Sequence, residues 1–165
     1  MNPTKLLRTA VIQQQAWPDK NQSLAESERL LKAVCDAQQP ELVLLQELHT
    51  THYFCQSEDT TVFDLAEPLD GPSAQRLSAM AKANNCVLVG GIFEKRAAGV
   101  FHNTALVFDK DGSLCGSYRK MHIPDDPAYY EKFYFTPGDA VKLDGSSGFT
   151  PIKTSVGNLG VLICW

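Results

Sequence analysis

Three side chains that can act as acid, base or nucleophile each follow a predicted β-strand. These residues are Glu47, Lys120 and Cys164. In layered α/β folds, ligand sites lie at the carboxyl ends of strands, so the three positions are candidates for one shared site. Each residue also has an ordinary explanation, since a glutamate can cap a strand, a lysine can lie on the surface and a cysteine can fill a core.

Together, the three residue types are a sufficient set for hydrolysing an amide-like C–N bond without a metal. A thiol becomes a good nucleophile when a base removes its proton or a nearby cation stabilises the thiolate. A carboxylate can serve as that base and later protonate the leaving nitrogen. An ammonium can stabilise the thiolate and the oxyanion of a tetrahedral intermediate. Spacing in the sequence does not by itself bring the three side chains together.

The first part of the chain alternates short apolar runs with a helical pattern. Thr9–Gln13 predicts a first strand, and Asp19 or Asn21 can cap a helix over Gln22–Ala37. The continuous apolar run Leu42–Leu45 is typical of a strand that is buried on both faces. This order predicts a strand–helix–strand unit at the start of a layered α/β fold.

The middle of the chain predicts a second helix, a strand and a hairpin. Gly71-Pro72-Ser73 is typical of a helix start, and Cys86–Phe93 predicts another buried strand. Thr104–Phe108 and Leu114–Arg119 flank Asp109-Lys110-Asp111-Gly112, which is a turn signal. Crossover helices followed by antiparallel pairs predict a mixed sheet.

The last part of the chain predicts a long loop and a second hairpin. Lys120–Asp139 is rich in proline, aromatic and charged residues and has no periodicity, which is typical of a functional loop. Ile152–Thr154 and Leu159–Cys164 predict a hairpin around Val156-Gly157-Asn158. Leu159–Ile163 is expected to be an inner strand that further polypeptide would cover.

Composition and charge exclude several classes of partner. The net charge is −4 and no basic stripe is present, so a nucleic-acid partner is not expected. No apolar run is long enough to span a membrane, and no signal-peptide pattern begins the chain, so no membrane partner is expected. The five cysteines are an odd number without regular spacing, which favours a reducing compartment. These features predict a cytoplasmic location.

Three segments resemble the catalytic motifs of the nitrilase superfamily of carbon–nitrogen hydrolases. They are Leu44–Leu48, Tyr118–Pro124 and Gly160–Trp165, in the same order and at similar separations as in that family. The resemblance covers about residues 8–165. It implies a carbon–nitrogen hydrolase domain over residues 1–165 that is incomplete at its C-terminus. It also implies an α/β fold that is the N-terminal half of a four-layer α-β-β-α sandwich with mixed sheets.

The same resemblance implies a role for each catalytic residue. Glu47 is the general base and acid, Lys120 stabilises the oxyanion, and Cys164 is the nucleophile. Glu131 stands where family members carry a second glutamate, which orients the lysine and the substrate. The family needs no cofactor or metal, and its members usually form homo-oligomers, so a homo-oligomer is expected here.

A narrower resemblance concerns the N-carbamoylputrescine amidohydrolases of polyamine synthesis. It rests mainly on the segments Tyr53–Gln56 and Glu131–Asp139 and on Trp165 after the nucleophile. It implies hydrolysis of a small cationic carbamoyl amine, N-carbamoylputrescine, to putrescine, ammonia and carbon dioxide. The predicted substrate-binding residues are Tyr53, His122, Tyr130 and Trp165. An aromatic ring can contact the substrate ammonium through a cation–π interaction, whereas His122 can equally well hydrogen-bond the loop.

Two other readings of the sequence stay open. In the first, the chain is part of another amidohydrolase of the superfamily, such as an N-carbamoyl amino acid hydrolase or an ω-amidase. It can also be an inactive truncated remnant or an interaction module. His49 and His52 form an HxxH pair, but no cysteine, histidine or carboxylate cluster at zinc spacing accompanies them, so no metal site is predicted.

Overall fold

A computed structural model describes residues 6–164. Its helices and strands, in chain order, are β1 (Thr9–Ile12), α1 (Lys20–Gln38), β2 (Leu42–Leu45), α2 (Pro72–Asn84), β3 (Val87–Ala97), β4 (Val100–Phe108), β5 (Leu114–Arg119), α3 (Glu131–Tyr134), β6 (Ile152–Thr154) and β7 (Gly157–Leu159). Two short 3₁₀ helices, Phe54–Gln56 and Thr60–Leu65, lie between β2 and α2.

Five strands form one mixed sheet, as predicted. Its order is β1-β2-β3-β4-β5, with β1, β2 and β3 parallel and β3, β4 and β5 antiparallel. The parallel pairs are joined by α1 and α2, because parallel neighbours need a crossover connection. The antiparallel pairs are joined by turns. The predicted hairpin between β4 and β5 is therefore confirmed.

Helix α1 begins two residues before the predicted start because Asp19 caps it. The Asp19 side chain accepts a hydrogen bond from the Asn21 N–H at 2.7 Å, which selects Asp19 over Asn21 as the cap. The helix ends where Gln39 enters the left-handed region and its N–H donates to Cys35 O. Leu24 and Leu31 are buried on the stripe that faces the rest of the chain.

Helix α2 begins with Pro72 after the N-cap Gly71, as the sequence predicts. Its buried face, which includes Leu77 and Met80, packs with residues of α1 and of the sheet in one apolar cluster. Each fully buried leucine of this kind stabilises the fold by about 1.5–3 kcal/mol. No helix among residues 6–164 is both long enough and apolar enough to cross a membrane.

Strand β3 is longer than predicted and forms a hairpin with β4. The prediction ended this strand at Phe93, whereas the structure continues it to Ala97, which pairs with Val100. Gly99 lies in the connecting turn with a φ of +74°, a conformation that glycine adopts at little cost. The polar residues after Phe93 did not suggest a strand, although Glu94 is buried in the sheet and only the last three residues of β3 are exposed.

The prediction of a strand over Leu159–Ile163 was wrong. Strand β7 covers only Gly157–Leu159 and pairs with β6 across a turn at Ser155 and Val156. Among the described residues, no strand pairs with residues 160–164, and an extended segment needs hydrogen-bond partners to be a strand. Leu162 is accordingly 72% exposed.

The face of the sheet opposite the two helices is only partly covered. The β6–β7 hairpin and Ile163 pack over part of it, against Leu42 of β2 and residues of β3, β4 and β5. Towards β1 and β2 the face is open, since Val11 is 77% and Leu44 37% exposed. The prediction that β2 is buried on both faces is therefore wrong at Leu44.

The loop Lys120–Asp139 is ordered, as predicted, and contains α3. Tyr134 anchors it, because its hydroxyl donates to Ser57 O at 2.6 Å and accepts from the Asp59 N–H at 2.8 Å. Phe135 is also buried, beside Phe54. This anchoring fixes the position of Glu131, the first residue of α3.

Candidate active site

The ammonium of Lys120 lies between two carboxylates at the centre of the site. Its Nζ is 2.9 Å from Glu47 Oε1, 2.8 Å from Glu131 Oε2 and 3.1 Å from Glu131 Oε1. Lys120 is fully buried and Glu131 is 3% exposed, whereas the Glu47 side chain is 31% exposed. The structure therefore brings together three of the four predicted catalytic residues, which are up to 84 positions apart in the chain.

Strand order places these groups at one end of the sheet. Glu47 comes two residues after β2, and Lys120 directly follows β5. Asn103 on β4 bridges them, because its Nδ2 donates to Glu47 Oε1 at 2.7 Å and its carbonyl accepts from the Lys120 N–H at 2.8 Å. The chain turns sharply after Glu47, where Leu48 has a φ of +47°, an uncommon value for a non-glycine residue.

Asn103 is a site residue that the sequence-based prediction missed. It is 1% exposed and lies within the otherwise buried part of β4. No clear signal for it is present in the sequence, because the predicted strand began at Thr104 whereas β4 begins at Val100. Its partner could not be known without the register of the sheet.

Lys120 stays protonated in this site. Burial lowers its pKa, but its hydrogen bonds with Glu131 and Glu47 outweigh that effect and hold the pKa above its ordinary value. Its ammonium is thus a fixed positive charge rather than a proton donor. A fixed cation of this kind can stabilise negative charge that develops on a neighbouring oxygen or sulfur.

Glu131 is held from two sides. Besides the Lys120 ammonium, the Tyr53 hydroxyl donates to its Oε1 at 2.9 Å. Burial and the Glu131 carboxylate raise the pKa of Tyr53 well above its ordinary value, so Tyr53 remains a neutral hydrogen-bond donor. Both contacts fit a positioning role for Glu131.

Cys164 lies on the same cavity as the two carboxylates. The cavity has a volume of about 410 Å³, and its walls include Glu47, Tyr53, Asp126, Tyr129, Glu131 and Cys164. Cys164 is exposed and has a φ of +54°. Such a φ is uncommon for a residue other than glycine, and it also occurs at Leu48, next to Glu47.

The other four cysteines lie in different surroundings. Cys35, Cys55 and Cys86 are buried, and Cys115 is partly buried. Burial raises the pKa of all four thiols, that of Cys86 to about 12. A thiol with a raised pKa is a poor nucleophile at neutral pH.

The predicted substrate-binding residues fall into three groups. Tyr53 lines the cavity. His122 is exposed and stacks on Phe149 at 6.3 Å between ring centroids, and Tyr130 precedes α3 with its N–H donated to Cys55 O. Neither His122 nor Tyr130 is among the described residues of the cavity wall. The prediction for Trp165 lies outside the described residues.

Two residues that the prediction did not select, Asp126 and Tyr129, line the cavity instead of His122 and Tyr130. A tight turn over residues 126–129 ends at Tyr129, and Tyr130 lies beyond it with its N–H bonded to Cys55 O, so the two side chains have different surroundings. Neighbouring aromatic residues in a loop without periodicity cannot be told apart from the sequence.

The HxxH pair does not form a metal site within residues 6–164. No group of three or more histidine, cysteine or carboxylate side chains that could hold a metal is found there. His49 is fully buried, and its Nδ1 lies 3.0 Å from Ser27 Oγ. His52 is exposed.

Sequence comparisons show which known proteins this chain is similar to. The carbon-nitrogen hydrolase family model matches residues 8–165. The chain is similar to the N-carbamoylputrescine amidase of Solanum tuberosum, with 36% identity over 98% of the chain and 51% of that protein. It is also similar to a citrullinase of Francisella tularensis, with 34% identity over 96% of the chain and 53% of that protein.

A solved structure has the same fold over the described part of the chain. It is a carbon-nitrogen hydrolase from Helicobacter pylori G27, with 46% identity and a TM-score of 0.87. The match covers 96% of this chain and 52% of that structure. The chain thus spans about half the length of the relatives it matches.

Proposed function

The chain belongs to the carbon-nitrogen hydrolase family, as the nitrilase-like motifs predicted, and on this premise we propose that its site hydrolyses N-carbamoylputrescine. The products are putrescine, ammonia and carbon dioxide. The observation that carries the proposal is the Lys120 ammonium held between Glu47 and Glu131, on a cavity that Cys164 also lines. Similarity to proteins named N-carbamoylputrescine amidase supports this choice of substrate.

The proposed reaction has two covalent steps. Glu47 accepts the proton of the Cys164 thiol, and the sulfur attacks the carbamoyl carbon to form a tetrahedral oxyanion beside Lys120. Glu47 then protonates the leaving nitrogen as the C–N bond breaks, which leaves a thiocarbamate on Cys164. Water activated by Glu47 hydrolyses the thiocarbamate and frees the thiol. The released carbamic acid loses carbon dioxide.

The exposure of Glu47 and the burial of Glu131 give the two carboxylates different roles. Glu47 is partly exposed and bonded to Lys120 and Asn103, so one of its oxygens can reach the cavity. Glu131 is buried and bonded to both Lys120 and Tyr53. Glu47 is therefore assigned the proton transfers and Glu131 the positioning of Lys120.

A second candidate substrate is citrulline, favoured by the 34% identity to a citrullinase over almost the whole chain. Citrulline carries the same carbamoyl-amine group, so the covalent steps would be identical. The two substrates differ at the far end, where citrulline has a carboxylate beside its ammonium.

A substrate panel on the purified full-length gene product tests the proposal. Ammonia release should be fastest with N-carbamoylputrescine, slower with citrulline and absent with an N-carbamoyl amino acid. Cys164→Ala should abolish release, whereas the control Cys115→Ala should retain it, because Cys115 lies outside the cavity. Absence of turnover with every carbamoyl amine would favour the inactive remnant or interaction module instead.

A further inference from the structure

We propose that Asp126 and the Tyr129 ring form a cation subsite that binds the free ammonium end of the substrate. This inference rests on the proposed function, since it assigns the part of the cavity that selects a carbamoyl amine by its far end. The subsite should favour substrates that end in a lone ammonium. It should disfavour those that end in a methyl group or a carboxylate.

The first support is the distribution of charge in the cavity. Three carboxylates line it, namely Glu47, Asp126 and Glu131. Glu47 and Glu131 are bonded to Lys120, whereas the Asp126 side chain makes no hydrogen bond or ion pair with any residue from 6 to 164. One ammonium against three carboxylates leaves the cavity with a net negative charge. Asp126 is the member of this set that is free to bind a second cation.

The second support is the turn that carries Asp126. The Tyr129 N–H donates to Asp126 O at 2.8 Å, and the Asp126 N–H donates to Tyr129 O at 3.4 Å. Ala128 between them has a φ of +67°. These bonds close a tight loop, so the carboxylate and the aromatic ring are carried on one small backbone unit. They can therefore contact the same bound group.

The third support is the aromatic lining beside Asp126. The Tyr129 ring is 55% exposed, and its centroid lies 6.1 Å from that of Tyr53 at an interplanar angle of 50°. The electron-rich face of an aromatic ring attracts an ammonium within about 6 Å. The Tyr53 hydroxyl is already engaged with Glu131, so its ring contributes only its face or edge. A carboxylate that lines the same cavity as two tilted rings suits an alkylammonium better than an anion.

The neighbouring Asp125 provides a natural control. It is the adjacent residue and also acidic, but it is not among the residues that line the cavity, and its Oδ2 lies 3.9 Å from Lys132 Nζ. If only the overall negative charge of the loop attracted the substrate, substitutions of Asp125 and Asp126 would have equal effects on binding. A subsite in the cavity makes only Asp126 important.

The test compares a cationic substrate with its neutral counterpart on the full-length gene product. N-Carbamoylputrescine and N-butylurea share the carbamoyl amine and the four-carbon chain, but only the first ends in an ammonium. Asp126→Asn should lower kcat/KM for N-carbamoylputrescine by roughly tenfold, mainly through KM, since hydrogen bonds to charged groups contribute about 1.5 kcal/mol or more. The value for N-butylurea should change less than about twofold. Tyr129→Leu should lower the cationic value by about threefold.

A binding measurement separates this inference from the proposed function. Putrescine titrated into the Cys164→Ala protein by calorimetry reports the subsite without turnover. Asp126→Asn should weaken that binding by about tenfold, whereas Asp125→Asn should leave it unchanged. Equal effects of the two substitutions, or equal losses of Asp126→Asn on both substrates, would overturn the subsite. Failure of the original enzyme to hydrolyse either urea, with Asp126-dependent putrescine binding retained, would instead overturn the proposed reaction.

Discussion

The Lys120 ammonium is the side-chain group on which the geometry of the site depends most. It is fully buried and bonded to Glu47 and Glu131 together. Removing it would leave the buried Glu131 carboxylate with only the Tyr53 hydroxyl as a partner. A buried charge without its counter-ion is costly, so Lys120 has a structural role as well as its proposed catalytic one.

Lys120→Met should therefore abolish turnover and lower the free energy of unfolding by about 3–5 kcal/mol. Adding Glu131→Gln to that variant should recover much of the stability, because it removes the unpaired carboxylate. The double variant should nonetheless remain inactive. Chemical denaturation and ammonia release measure the two effects separately. Near-normal kcat in Lys120→Met would contradict the assignment of Lys120 to the oxyanion.

The sequence predicted the reactive residues of the site but not the residues that surround them and hold them in position. Glu47, Lys120 and Glu131 follow strands or lie in the long loop, and their motifs predicted that they would meet. The prediction missed Asn103 because its hydrogen bond to Glu47 depends on the register of β4 against β3 and of β3 against β2. The prediction selected Tyr130 and not Tyr129, because the positive φ of Ala128 and the turn that it forms cannot be predicted from composition.

The loop that carries Glu47 is tied to helix α1 by a buried polar network. Ser27 Oγ lies 3.0 Å from His49 Nδ1 and donates to Gln14 Oε1 at 2.8 Å. The Gln14 N–H in turn donates to Gln46 Oε1, next to Glu47. Burial lowers the pKa of His49 from 6.5 to about 4, so His49 is neutral in the folded protein near neutral pH.

His49 should make stability depend on pH between about 6.5 and 4. In this window the unfolded chain binds a proton at His49 that the folded protein does not, so stability falls as the pH falls. In total, the free energy of unfolding should fall by roughly 3 kcal/mol as the pH falls through this window. His49→Asn keeps a polar group near Ser27 but cannot titrate. The difference in unfolding free energy between the two proteins should therefore change across this window, and parallel pH curves would contradict the assignment.

At the scale of elements, local signals predicted type and order better than length. Helix α2 starts where Gly71 and Pro72 predict, because those residues determine the local backbone. Strand β3 runs to Ala97 because β4 pairs with it from Leu88 onwards, with one register shift after Lys95, and no local sequence pattern indicates this partner. Residues 160–163 have the apolar character of a strand, but strand formation depends on pairing, which is a tertiary property.

The most unusual feature of the molecule as a whole is that part of the apolar face of its main sheet is exposed to solvent. Val11, Leu44 and Leu162 are all substantially exposed, and the chain spans about half the length of its relatives. In the predicted four-layer sandwich, further polypeptide would cover such a face. Apolar surface contributes about 25 cal/mol for each Å² removed from water, so a few hundred Å² is comparable with the stability of a domain.

A polypeptide of residues 1–165 alone should consequently self-associate and should not hydrolyse N-carbamoylputrescine. Exposed apolar patches of this size promote association. Light scattering and ammonia release on that polypeptide, compared with the full-length gene product, measure both properties. Substituting Val11 and Leu44 by threonine should reduce the association. A monodisperse, active monomer of residues 1–165 would show that the open face needs no cover.

In the proposed reaction Cys164 attacks the carbamoyl carbon, and trapping the covalent adduct is the strongest test of this step. The original full-length protein is mixed with excess N-carbamoylputrescine, quenched in acid within the first turnovers, digested and mapped by mass spectrometry. A thiocarbamate is expected on the peptide that contains Cys164 and none on the peptide that contains Cys115. The adduct mass also identifies the nitrogen that leaves first. Turnover that persists in Cys164→Ala, together with no adduct on the Cys164 peptide of the original protein, would show that Cys164 is not the nucleophile.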